Sequence, residues 1–256
     1  MSDWDPKQYL RFGKERTRPV YDLTSHIGLD EPRRILDIGC GPGNSTAVLE
    51  QRWPGAHIIG LDSSESMIKK AKEDHPNIEF VSRDACDDLS DLGDFDIVFS
   101  NASLQWMPDH PSLIPRLFGM LRERGTFAAQ IPQFDRMPAS QAIDEVVASD
   151  EWRDYFLDFK SGLVHNPDEL YYDILCERAS SIDIWATEYH HIMPDHQAIV
   201  SMLSSTGLRP YLERLNREKA RTFKEAVLEN LVKRYPTRVD GKVLFPFKRL
   251  FIVASR

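Results

Sequence analysis

The residues best suited to chemistry lie together in one stretch, Ile35-Leu36-Asp37-Ile38-Gly39-Cys40-Gly41-Pro42-Gly43-Asn44-Ser45-Thr46. An apolar run closing on an acid, then three alternate glycines, then a helix-forming segment, reads as a turn from a strand into a helix. Glycines there permit tight turning and close approach of backbone to a ligand, and the helix presents its positive N-terminus to it. The pattern is D-x-G-x-G-x-G. A dinucleotide fingerprint spaces its glycines G-x-G-x-x-G, and counting from Gly39 puts Asn44 at the last site, so a pyrophosphate is not the expected guest. Asp37 would repel a phosphate but suits a cationic or amine-bearing ligand. S-adenosylmethionine fits that description; the alternative is a turn with a purely structural purpose.

Further candidates fall at later strand ends. Asp62, followed by Ser63, closes an apolar run as an acceptor for ribose hydroxyls would, with helix capping as the competing role. Asp84 follows the next strand where an adenine amino group would lie, and the Ala85 amide could serve the adenine ring; a solvated loop carboxylate beside Asp87 and Asp88 is the alternative. Met67 packs against adenine or belongs to the core. Asn101, in Ser100-Asn101-Ala102-Ser103-Leu104-Gln105-Trp106, is a candidate for the methionyl end of the cofactor, and Trp106 either walls the reaction centre or packs a helix.

Elements that would position these residues are legible as short apolar runs at 33–38, 57–62, 77–82, 95–100 and 125–131, alternating with helical stretches near 45–52, 64–74 and 109–121. Strands alternating with helices imply a parallel sheet. Residues 181–190 and 242–254 read as two closing, partly antiparallel strands. The fold class is α/β: a doubly wound, Rossmann-like, seven-stranded, mostly parallel sheet with a helical cap inserted over its C-terminal edge. One domain is expected over 1–256, with a helical N-terminal segment at 1–30 over the cofactor and cap or lid segments at 133–180 and 195–235.

Composition narrows the partners. With 40 acidic against 32 basic side chains the formal charge is −8, and no basic stripe suits a phosphate backbone, so nucleic acid is a poor partner. No apolar run approaches the ~20 residues of a membrane span, and the start, MSDWDPKQYL, lacks a signal-peptide pattern, which points to the cytoplasm. Cys40, Cys86 and Cys176 are scattered singly, and no metal site is expected.

These motifs resemble those of class I methyltransferases, and more narrowly the chain resembles the trans-aconitate 2-methyltransferase family along nearly its whole length. The matching residues are Trp4-Asp5-Pro6, Tyr9-Leu10, Glu15-Arg16-Thr17-Arg18-Pro19, the glycine loop, Asn101 to Trp106 with Pro108-Asp109-His110, and Thr206-Gly207-Leu208-Arg209-Pro210. The segment from Gln133 to Glu169 departs from the family pattern at its start. The resemblance implies methyl transfer to a carboxylate of a small polycarboxylic acid, giving a monomethyl ester and S-adenosylhomocysteine. A carboxylate has a reference pKa of about 4 and is already ionised at neutral pH, so no general base is expected and no residue is assigned as catalytic.

Such an acceptor calls for arginines, whose planar fork grips carboxylates in pairs. Arg209, in a Gly-Leu-Arg-Pro turn, and Arg249, entering the last strand, stand outside ordinary helix faces; Arg16 and Arg18 lie in the N-terminal segment. Surface salt bridging is the competing role for Arg209 and Arg249. His190, of the His190-His191 pair, could add a polar contact, with a solvated side chain as the alternative. Rival readings are a methyltransferase for another small or carrier-linked acid and, less favoured, a catalytically silent cofactor-binding protein. Oligomeric state is not legible.

Overall fold

The computed structural model describes residues 13–256, apart from the side chains of Lys14, Glu15 and Arg16. The expectations resting on Trp4, Asp5, Pro6, Tyr9 and Leu10, and on the Arg16 side chain, lie outside the described residues. The seven strands are β1 (Arg34–Ile38), β2 (His57–Asp62), β3 (Glu79–Ser82), β4 (Phe95–Asn101), β5 (Leu121–Pro132), β6 (Ser181–Met193) and β7 (Val243–Ser255), in the spatial order β3-β2-β1-β4-β5-β7-β6. The helices are α1 (Gly13–Ser25), α2 (Asn44–Arg52), α3 (Glu65–Asp74), α4 (His110–Gly119), α5 (Pro138–Ala148), α6 (Asp168–Leu175), α7 (His196–Ser204), α8 (Arg209–Arg214) and α9 (Arg217–Arg234).

Strands β1 to β5 pair in parallel, with Ile38 beside Leu61 on one side and Ser100 on the other. In β1, β2 and β4 most positions are apolar and buried, as in a parallel sheet covered on both faces, whereas β3 carries exposed Glu79 and Ser82 and β5 runs through Arg122-Glu123-Arg124 near its start. Chain order reverses direction between β1 and β4, and ligands in doubly wound sheets bind at that switch point, beyond the carboxyl ends of the strands. Asp37, the glycine loop and Asn101 all come from those two strands.

Helix starts follow local chemistry. The Ser64 hydroxyl accepts from the Met67 amide to cap α3, Asp195 caps α7 through the Ala198 amide, and Asn216 caps α9 through the Lys219 amide. The strand expected to begin at Gly125 instead begins at Leu121. Arg124 takes a left-handed φ of 65°, and the pairing with β4 shifts register between Phe95 and Ile97, so an irregular ladder hides the strand's first turn of sequence.

The chain forms two compact units, one of residues 13–131, 164–186 and 250–256, the other of 132–163 and 187–249. The segment expected as one lid over 133–180 is therefore divided, its part from 164 onward belonging with the sheet. It is also less helical than expected: between α5 and α6 the chain is held by ring contacts instead. In the second unit Trp152 meets Phe223 edge-on at 5.0 Å and Phe159 packs against Tyr211 at 4.8 Å. Asn230 on α9 donates to the Ala142 carbonyl on α5 at 3.4 Å. In the sheet unit, Trp185 is stacked between His26 at 3.9 Å and Phe251 at 4.9 Å. Among the described residues no helix is long and apolar enough to cross a membrane.

The sheet core includes Leu36, Phe95, Val98, Leu117, Phe127 and Ile252. Phe127→Ala removes a fully buried ring from this cluster and is expected to lower stability by about 3–5 kcal/mol, read as a shift in the urea midpoint. A loss under about 1 kcal/mol would mean that the sheet core relaxes to fill the gap.

Candidate active site

Asp37 has no solvent exposure. Its Oδ2 accepts from the Ser45 and Thr46 hydroxyls, both at 2.7 Å, which ties the end of β1 to the first turn of α2 across the glycine loop. Its Oδ1 is buried with no hydrogen-bond partner. Burial pushes its pKa up to about 7, against the opposing pull of the two hydroxyls.

All three glycines of the loop have positive φ, Gly43 at 90°, and two of them bear directly on the neighbouring elements. Gly39 has φ of 68°, and a Cβ there would lie 2.2 Å from the Ser103 Cβ, so the loops after β1 and β4 meet at this point. Gly41, φ 55°, has nothing within 4 Å of where its Cβ would stand, and its amide donates to Asp62 Oδ2 at 2.9 Å. Asp62 Oδ1 accepts from the Ser64 amide at 2.8 Å. The carboxylate thus pins the loop to the start of α3 with one oxygen each, while Ser64 rather than Asp62 is the helix cap. Cys40, within the loop, is buried, and burial with the nearby Asp37 and Asp62 raises its thiol pKa, keeping it protonated.

On the neighbouring strand, Ser100 donates to the Ser103 hydroxyl at 2.6 Å and Ser103 donates to the Ile38 carbonyl at 2.9 Å, a fully buried relay between β4 and β1. Ala102 adopts a left-handed φ of 54°, and its carbonyl accepts from Gln105 Nε2 at 2.7 Å. Asn101 Oδ1, Asn44 Oδ1 and Gln105 Oε1 are buried without partners, like Asp37 Oδ1. Every one of these orphan atoms is an acceptor. A guest meeting those at the β1 and β4 ends must bring donors or positive charge.

Beyond β3, Asp84 is exposed and its Oδ1 accepts from the Cys86 amide at 2.8 Å; Ala85 is buried. Arg116 on α4 donates to the Ala85 and Cys86 carbonyls, each at 2.7 Å, fixing this loop. Ser63 is exposed, Met67 is buried in α3, and Trp106 is partly exposed. Arg18 on α1 is exposed.

The second unit holds the other candidates. Arg249 is 4% exposed, so it is not a surface cation: its guanidinium lies 4.5 Å from the Phe247 ring centre and 5.9 Å from that of Tyr189. Arg209, by contrast, is bridged to Glu213 one helical turn on, Nε to Oε1 at 2.9 Å, which is the salt-bridging role. From Tyr189 on, alternate side chains of β6 are buried, and that places His190 on the outer face, 3.4 Å from Glu188; the buried partner is His191, whose ring packs against Phe247 at 5.7 Å. His190 therefore leaves the candidate set and His191 enters it. Strand parity would have decided between them had the burial of Tyr189 been known. Asn44, Arg116 and His191 join the candidates on the structure; only Asn44, inside the glycine loop, carried a local signal. Among the described residues no group of histidine, cysteine and carboxylate side chains could hold a metal.

Residues 35–125 match the family described as a methyltransferase domain. Over all 256 residues the chain is 42% identical to trans-aconitate 2-methyltransferase of Escherichia coli strain ATCC 8739, covering 99% of that protein, and 42% identical over the same span to the Shigella flexneri protein of that name. Among solved structures it is similar to the YcgJ protein from Bacillus subtilis, with a TM-score of 0.61 at 13% identity over 93% of this chain and 98% of that one. It is also similar to Haemonchus contortus phosphoethanolamine N-methyltransferase 2 in complex with phosphomonomethylethanolamine and S-adenosylhomocysteine, with a TM-score of 0.56 at 16% identity over 93% of this chain and 52% of that one. At these identities the two structures show the shared Rossmann-like fold.

The buried carboxylate has a consequence in the ligand-free protein. Well below pH 3.8 Asp37 is protonated in folded and unfolded chains alike; between there and about 7 the unfolded chain has released a proton that the fold keeps, so stability falls as pH rises, then levels. Relative to Asp37→Asn, the wild type is expected to lose on the order of a few kcal/mol over that window. Urea midpoints of the two proteins from about pH 5 to about pH 8 measure it, and parallel curves would sink it.

Proposed function

The chain belongs to the trans-aconitate 2-methyltransferase family, and on that premise we propose that it transfers the methyl group of S-adenosylmethionine to a carboxylate oxygen of trans-aconitate, giving the monomethyl ester and S-adenosylhomocysteine. The observation that carries the reading is the set of orphan acceptors at the ends of β1 and β4, together with the space at Gly41. An ammonium and a sulfonium meet those atoms favourably, whereas a pyrophosphate would set anionic oxygens against acceptors.

Asp37, Asn44 and Asn101 are the groups for the methionyl end. Asp62, whose two oxygens accept from the Gly41 and Ser64 amides, is the group for the ribose hydroxyls. Asp84 and the Ala85 amide face the role of reading adenine, with Arg116 fixing their loop; Ser63 and Met67 flank the same edge in sequence. When bound, the sulfonium supplies an electrophilic methyl group. Ionised at pH 7 in contact with that cation, Asp37 recovers through charge pairing what its burial costs in the ligand-free protein.

No proton need move in the transfer, because the acceptor carboxylate is already an anion. The residues' task is orientation: holding the oxygen in line with the methyl carbon supplies about 7–11 kcal/mol of the barrier reduction in favourable cases. For the acceptor's remaining carboxylates the buried Arg249 is the first candidate of the second unit, and Trp106, Arg16 and Arg18 are the candidates of the sheet unit. Arg209 is secondary, since Glu213 already occupies its Nε.

Incubation with S-adenosylmethionine carrying a labelled methyl and a panel of trans-aconitate, cis-aconitate, citrate, isocitrate, malonate and a medium-chain fatty acid tests the assignment. Base-labile label is expected on trans-aconitate; label on another acid alone would reassign the acceptor, and bound cofactor with no label on any acid would reject the reading. Arg249→Met is expected to raise the KM for trans-aconitate at least tenfold, corresponding to about 1.4 kcal/mol or more, with cofactor Kd little changed. An unaltered KM removes Arg249 from acceptor binding.

A further inference from the structure

His110 has no solvent exposure and belongs to none of the groups assigned above. Its Nε2 lies 2.9 Å from the Leu104 carbonyl oxygen, which can only accept, so Nε2 carries the proton. Its Nδ1 is then the acceptor, with the Tyr171 hydroxyl at 2.8 Å and Asn166 Nδ2 at 3.0 Å. The network is complete only with a neutral imidazole, and burial favours that state by lowering the His110 pKa and pushing that of Tyr171 up to about 12.

What this network holds is the turn Leu104–Trp106 directly after β4, the strand end at the switch point. Two non-glycine residues bracket the turn in left-handed conformations, Ala102 at φ 54° and Asp109 at φ 52°, each of which costs on the order of 1 kcal/mol or more unless the surroundings impose it. Gln105 folds back onto the Ala102 carbonyl, and its own carbonyl accepts from the Val164 amide at 2.8 Å. Asn166 and Tyr171 lie on the segment 164–186 by which the chain returns to the sheet unit. One imidazole therefore joins that returning segment to the turn carrying Gln105 and Trp106.

From this geometry we infer that His110, with Tyr171 and Asn166, is a positioning group for methyl transfer: it holds the strained turn after β4 so that Asn101, Gln105 and Trp106 keep the orientation the reacting atoms require. The inference rests on the proposed reading of that strand end as the site of transfer. It assigns His110 no proton-transfer role, since both its nitrogens are engaged inside the protein.

Tyr171→Phe deletes one hydroxyl from the network and keeps the ring; His110→Phe removes both imidazole contacts; His110→Gln restores a donor for the Leu104 carbonyl. In the two phenylalanine variants kcat at saturating cofactor and trans-aconitate is expected to fall about tenfold, as small misplacements of reacting groups do, with cofactor Kd within about twofold. His110→Gln should recover a substantial part of the loss, and the double variant His110→Phe/Tyr171→Phe should cost no more than the worse single one. A second readout needs no acceptor: amide hydrogen exchange of the peptide covering 102–110 should quicken in the phenylalanine variants while that covering 39–46 stays as in wild type.

If wild type methylates none of the panel acids, the functional reading fails and the exchange experiment alone decides this one. Unchanged exchange at 102–110 in Tyr171→Phe, or a kcat within about twofold of wild type in both phenylalanine variants, overturns the inference. Loss of folding in His110→Phe leaves Tyr171→Phe to decide it.

Discussion

A carboxylate with no exposure, held by two hydroxyls on one oxygen and by nothing on the other, is the constraint around which the sheet unit is arranged. Asp37 can stand there only because Ser45 and Thr46 reach back to it across the glycine loop, which forces the loop to turn within seven residues and to use left-handed backbone at Gly39 and Gly41. The same tightness brings Gly39 against Ser103, so that a side chain on the former would displace the loop after β4. Removing any of these pieces frees the others. A half-satisfied buried carboxylate is unfavourable in isolation, and its natural complement is a cation arriving from outside.

The loop after β4 shows the same economy in neutral groups. The Ser100–Ser103–Ile38 relay, the Gln105–Ala102 contact and the His110 network are all satisfied internally, and the atoms left over are the acceptors of Asn101 and Gln105. Strain at Ala102 and Asp109 survives because buried hydrogen bonds over-determine the turn. Rigid framing with exposed need at a few atoms is the form that electrostatic preorganisation takes, since groups already oriented do not have to reorganise during reaction.

How much of this was legible in the sequence depended on whether the signal was local. Strands β1, β2 and β4 were legible as mainly apolar runs because most of their positions are buried, and Asp37, Asp62 and Asn101 stand out by their place at strand ends. The start of β5 was not legible, because a left-handed Arg124 and a register shift have no compositional mark. Arg249 and Arg209 look alike in sequence; burial among rings separates them from each other, and that burial comes from β6 and β7 side chains far apart along the chain. His190 was preferred over His191 for want of parity on β6. His110 was visible as part of a matching motif, yet its role depends on Tyr171, 61 residues away, a contact no spacing rule reaches.

The electrostatics then bear on what the acceptor can be. A net charge of −8 opposes a polyanion, but exposed charges lose most of their reach beyond about 8 Å at physiological salt. Buried charges do not. A guanidinium and a carboxylate at about 4 Å interact with roughly 4 kcal/mol at an effective dielectric near 20, enough for one buried arginine to outweigh a diffuse unfavourable field. Arg249 packs on Phe247 and Tyr189, which shield it from water. Every carboxylate is planar and delocalised, so the guanidinium fork suits them all, and a preference among acids has to come from the shape of the carbon frame. There an unsaturated polycarboxylate is flat about its double bond, whereas citrate, with the same number of carboxylates, is tetrahedral at its central carbon.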